Sequence, residues 1–191
     1  MSHPPDKLTQ ADEALLAFYG GRGPDHAGRH IDTIWAFDHA QLEASHDYIQ
    51  WLFPNPRPSP VNPLAPVLTA AAARAFAADP ELTRRLLRSL DVMLGFYGLA
   101  RDGEYVERSP AFAARRAAWL RPGNHNHLRL SRILICLNET GLVALAAALR
   151  DALCDVAAHE GRGLVSARTV EIWRSIRPSR SGPPAASDRG P

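Results

Sequence analysis

From Asp79 to Gly98 the chain marks the start, the buried face and the length of one helix in a single stretch. Asp79-Pro80 supplies an N-cap side chain and a proline whose missing N–H costs nothing at the first helical position. Leu82, Leu86, Leu90, Met93, Leu94 and Tyr97 then keep one core-facing stripe as far as Gly98. No strand can carry that period, and the same period governs most of the chain.

Leu8, Ala11, Leu15, Phe18 and Tyr19 fall near helical spacing, and Gly20-Gly21-Arg22-Gly23-Pro24 ends the segment. This glycine cluster follows a helix and not a strand, so it does not read as a dinucleotide loop. Ile31, Ile34 and Trp35 repeat the pattern. Between Asp38 and Phe53, residues Leu42, His46, Ile49 and Phe53 predict one face of one helix, widened by Tyr48 and Leu52. Pro54 stops it, and the proline-rich run to Pro66 is expected to lie extended in polyproline II form. Thr69 caps a short Ala-rich helix to Ala78. Residues Ala100 to Arg108 read as a charged loop, with Ser109-Pro110 as a further cap and first-turn pair. Asn124 caps a helix carrying Leu130, Ile133, Leu134 and Leu137, closed by Gly141. Helices over Leu142–His159 and Ser166–Ile176 follow. No stretch alternates convincingly with period two, so the fold is expected to be all-α. It is read as one compact multi-helix domain over residues 8–176, between a flexible N-terminus (1–7) and a disordered tail (177–191).

At 191 residues, with 46% hydrophobic and 22% charged, the chain has enough apolar content for one sizeable core. No apolar run reaches the roughly 18–20 residues of a membrane span, and the first twenty residues suit neither a signal nor a transit peptide. A cytoplasmic protein is the expectation, with Cys136 and Cys154 as buried free thiols. The formal net charge is +2, but Arg174 to Pro191 alone carries four arginines against Asp188, a net +3. The rest therefore nets −1, without the basic stripe that a phosphate backbone requires, and no nucleic-acid partner is expected. Lys7 is the single lysine among 22 basic residues, a skew that reads as GC-rich bacterial coding bias.

Chemistry-bearing residues gather in two places. His46 lies among the aromatics of the 46–53 stretch. On the helix beginning near Asn124, His125, Arg129 and Arg132 share an i, i+4, i+7 face, either a solvated or salt-bridged face or an anion clamp. His125 and His127 diverge on a helix and cannot share one metal. His26 and His30 have zinc-like spacing, but Gly28 interrupts them and no Glu follows. No metal and no cofactor is expected. Nucleophile-elbow, Walker and C-x-x-C signatures are absent from the sequence.

The words LLAFYGGRGPDHAGRHIDTIW, HDYIQWLFP, SPVNPLAPVLT, VMLGFYGL and HNHLRLSRILICLNETGL, in that order, resemble the conserved domain of the opioid growth factor receptor family. The resemblance runs from about Ala14 to Leu153. It implies the family's helical domain, whose animal members are described as nuclear-envelope-associated receptors for the enkephalin pentapeptide, with long C-terminal sequence including repeats. It supplies no catalytic residue set.

The residues themselves suggest a groove for a peptide or small anionic ligand. Trp51, turned off the core face, and Tyr48, at its edge, would stack there, with His46, Gln50, His125 and Asn126 around them and Arg129 or Arg132 meeting a carboxylate. The reading leans away from an enzyme. One alternative is an acid–base pair of His46 and His125, another a purely structural interaction protein. The two histidine words are expected to bring their helices together, with Glu43 or Asp47 opposite Arg129 or Arg132.

Overall fold

The computed structural model describes residues 7–60 and 62–178. The expectations for the N-terminus and tail lie outside these, apart from Lys7, Arg177 and Pro178. Ten α-helices and one small antiparallel hairpin make up the described residues, so the chain is mostly α. At its centre is α6 (Pro80–Tyr97). Around it pack α1 (Gln10–Tyr19), α2 (Ile31–Trp35), α5 (Ala70–Ala78) and α7 (Phe112–Arg115). α3 (His39–Ala44) and α4 (Ile49–Leu52) are short, and α8 (Asn126–Glu139), α9 (Val143–His159) and α10 (Ala167–Ser175) form the second half.

Most boundaries follow from caps. The Asp79 carboxylate accepts from the Glu81 and Leu82 amides, so α6 starts where the sequence marks it. Leu82, Leu86, Leu90, Met93 and Leu94 are buried as the stripe predicts, each stabilising by roughly 1.5–3 kcal/mol. Gly98 ends the helix in the left-handed region at φ 77°. A Cβ there would also lie 2.7 Å from the Phe112 Cα, so the position requires glycine twice over. Trp173 anchors α10, its ring fully buried and its indole N–H donating to Ser131 Oγ. No described helix is long and apolar enough to cross a membrane.

Three expectations are corrected. Residues Leu99–Asp102 and Tyr105–Arg108 are not a loop but β1 and β2, paired with Asp102 opposite Tyr105. The signal was Gly103-Glu104: a two-residue hairpin turn with glycine at its first central position, here at φ 56°. The proline-rich segment returns on itself instead of running extended. Asn55 bridges to Val67, and the Leu68 amide donates to the Asn55 carbonyl at 2.9 Å. Lastly, the single helix expected over Asp38–Phe53 is two. Ser45 leaves α3 in extended conformation, and α4 restarts at Ile49.

One carboxylate joins two helix starts. Asp12 closes a capping box with Thr9, and its other oxygen accepts from the hydroxyl of Thr69, the N-cap of α5, at 2.7 Å. Burial alone would raise its pKa, but these hydrogen bonds hold it below 3.8. The depressed value gives stability that is present above the unfolded value and lost as pH falls through the folded one. Asp12→Ala is expected to cost about 2 kcal/mol near neutrality. The gap to the unmodified protein should narrow below about pH 4, as urea melts at several pH values would record.

Candidate functional site

Where α3 ends, its last carbonyls turn toward α8, and Arg129 meets them. This guanidinium is only 5% exposed. Nη1 donates to the Leu42 carbonyl at 2.9 Å and to Asn126 Oδ1 at 3.2 Å; Nη2 donates to the Ser45 carbonyl at 2.6 Å and to His46 Nδ1 at 2.9 Å. Arg129 thus caps the C-terminus of α3, where free carbonyls and the helix dipole favour a cation. Its planar fork serves four acceptors at once, which a lysine ammonium cannot do. The Tyr48 ring lies beneath it at 5.6 Å, and the Tyr48 hydroxyl also donates to the Leu42 carbonyl. Burial pushes the Tyr48 phenol up to about 12.

Asn126, fully buried, connects this cation to the nearest carboxylate. Its oxygen accepts from Arg129 and from the Tyr97 hydroxyl, and its nitrogen donates to Glu43 at 3.0 Å and to the Ala118 carbonyl. All four hydrogen-bonding positions of the amide are therefore filled. Glu43 also stands 3.6 Å from His125 Nε2. The His46 and His125 ring centres lie 5.0 Å apart, nearly perpendicular. Burial and then the Arg129 charge push the His125 pKa below its ordinary value, against the pull of Glu43. His46, His125 and Glu43 are the members of this cluster that water reaches.

The histidine words do meet, but their charges pair differently from the expectation. No carboxylate of the described residues forms an ion pair with Arg129; backbone carbonyls take its place. Arg132 donates to the Phe53 carbonyl at 3.2 Å, and burial lowers its pKa. Asp47 turns to the other side and pairs with Arg29 at 2.8 Å. The aromatics differ most. Tyr48 is fully buried, and Trp51, at 7% exposure, is core and not a groove wall. Its ring packs edge-on to Phe18, and its indole N–H donates to His26 Nδ1 at 2.9 Å. His26 Nε2 in turn faces Asp47 at 3.5 Å. α4 is a single turn whose four residues are all buried, so the side turned away from Phe53 is core as well. Gln50 is buried as well, and its Oε1 has no partner among the described residues. No group of three or more His, Cys, Asp or Glu side chains among the described residues is close enough to hold a metal.

Beside the cluster, on the other side of Glu43, lies a cleft of about 470 Å³ between α3 and the segment from α7 to Arg121. Sequence reading missed it, because its walls come from residues far apart in the chain and carry no shared motif.

Two substitutions test this account. Arg129→Lys is expected to destabilise by about 2–3 kcal/mol, since several buried acceptors lose their donor. Trp51→Ala is expected to cost about 3–5 kcal/mol, as much as Phe53→Ala. Equilibrium denaturant melts measure both.

Comparison with known proteins agrees with this sequence and fold. The sequence model of the opioid growth factor receptor (OGFr) conserved region matches residues 7–172. Opioid growth factor receptor from Mus musculus is 41% identical over 111 residues, covering 56% of this chain and 17% of its own length. The Homo sapiens protein is 40% identical over 111 residues, covering 56% and 16%. Opioid growth factor receptor-like protein 1 from Xenopus tropicalis is 37% identical over 142 residues, covering 71% of this chain and 27% of its own length. The chain thus spans under a third of these relatives. No solved structure matches. With the conserved region running from before α1 into α10, the chain belongs to the opioid growth factor receptor family.

Proposed function

We propose that this domain is a recognition module for a peptide or small ligand, engaged at the rim formed by Glu43, His46 and His125. The observation that carries the reading is the division of labour around Arg129. Tyr48, Asn126 and Arg129 are buried and mutually satisfied, whereas two imidazoles and a carboxylate stand side by side within reach of water. The buried half holds the exposed half in place, as a preorganised site requires. The relatives' names attach receptor function to much longer proteins, of which this domain supplies the shared part. Buried Tyr48, Gln50 and Trp51 then support the rim and do not touch ligand.

A second reading has its own observation. The 5.0 Å ring separation is short enough for His46 and His125 to work on one substrate as acid and base, with Glu43 orienting His125.

The test follows the His46 and His125 ring resonances while short peptides with free termini are added to the full chain. The same peptides with blocked termini serve as control. Recognition at the rim shifts both rings, and the shift is lost in His125→Gln. Unmoved rings for all free peptides would overturn the reading. Ester hydrolysis above background, abolished by either His46→Ala or His125→Ala, would favour the catalytic one.

A further inference from the structure

The cleft on the other side of Glu43 is lined by two arginines, Arg115 and Arg121. Several other arginines are paired: Arg101 with Asp91, Arg108 with Asp155 and Glu160, Arg116 with Glu160. Arg115 and Arg121, which line the cleft, have no ion pair among the described residues. Arg115 Nη1 instead lies 2.5 Å from His39 Nδ1, a neutral acceptor where a carboxylate would ordinarily stand. Its Nε is shielded from solvent and has no partner at all among the described residues. With Nη1 on a neutral imidazole and Nε on nothing, the charge of Arg115 is left uncompensated, which favours an anion on its remaining N–H groups.

His39 strengthens this arrangement. Burial lowers its pKa, and Arg115 lowers it further against the opposing pull of Asp38, so near neutrality the imidazole stays an acceptor and holds the guanidinium in place. Phe96 is buried beneath the cleft, with the His39 ring centre 6.1 Å from its own, and Ala114 and Ala117 form the apolar wall. Two cations beside an alanine wall, in a volume of about 470 Å³, describe a place for a small molecule with one charged end and one apolar body.

We propose that this cleft binds a compact organic oxyanion, carboxylate or phosphate, with its charge on Arg115 and Arg121 and its apolar body against Ala114 and Ala117. The site lies outside the rim of His46 and His125 and uses neither imidazole, so it stands or falls separately from the recognition reading given above. Glu43, held by Asn126, bounds the cleft at the side nearest the rim and disfavours longer polyanions.

Benzoate, phenyl phosphate, inorganic phosphate and neutral benzamide, each added to the full chain and followed by calorimetry and amide chemical shifts, test the proposal. Benzoate or phenyl phosphate should bind with shifts at Phe96 and Ala117, and benzamide should bind at least about tenfold more weakly for want of a charge-assisted contact. Arg115→Gln and Arg121→Gln should each weaken the charged probe about tenfold or more. Arg121 is exposed and has no side-chain hydrogen bond or ion pair among the described residues, so its variant remains informative if Arg115→Gln melts early. Preference for phenyl phosphate over benzoate identifies a phosphate ligand, and the reverse a carboxylate. Equal binding of benzamide, inorganic phosphate binding as tightly as phenyl phosphate, or unchanged affinity in Arg121→Gln would each overturn it. His46 and His125 resonances should stay still throughout.

Discussion

Withdrawing a guanidinium from water costs several kcal/mol unless its N–H groups find acceptors. Arg129 meets that cost with two backbone carbonyls, an amide oxygen and an imidazole nitrogen, all delivered by the turn that ends α3 and by its own helix. The arrangement constrains everything near it. α3 must stop at Ser45 so that the Leu42 and Ser45 carbonyls are free. Tyr48 must lie beneath the cation, and Asn126 must face Glu43 across the gap. Charge balance is carried through the Asn126 amide and not by direct pairing, which leaves Glu43 one oxygen toward His125.

This constraint sorts the conspicuous residues of the 46–53 stretch into two kinds. Tyr48, Ile49, Trp51, Leu52 and Phe53 are core, and the Tyr19 hydroxyl fastens the Leu52 carbonyl from α1. His46 alone of the stretch's rings reaches water, because it sits in the extended break and not on a helix. The dense apolar knot therefore holds the rim in place; it does not offer a stacking surface. Pro54 ends α4, and the proline-rich loop closes on itself through Asn55 and Val67, so that its stiffness seals the core next to Phe53.

α3 is six residues long, yet it borders both regions where a ligand has room. His39 and Glu43, one turn apart, face the cleft, and Glu43 also joins the rim. A helix so short has little stability of its own. Its position depends on the Asp38 capping box at one end and on Arg129 at the other. The conserved region common to the family spans all of these parts, while the longer relatives add sequence outside it.

What could be read from the residues in order was whatever depends on near neighbours. Thr69, Asp79 and Ser166 cap helices because their oxygens meet amides two or three residues on, and the stripe of α6 is buried because its period allows no other choice. The Gly103-Glu104 turn depends only on near neighbours too, but its four-residue strands are too short to show alternation, so the stretch reads as a loop. Family membership was legible too, since long specific words survive without any geometry. The break at Ser45, the inward turn of Trp51 and the partners of Arg129 were not. Each depends on a contact across 25 or more residues: Trp51 with His26, Arg129 with Leu42 and Ser45. Local periodicity carries the helical face straight through Ser45, and only a guanidinium 84 residues away, short of acceptors, makes it worth ending the helix there.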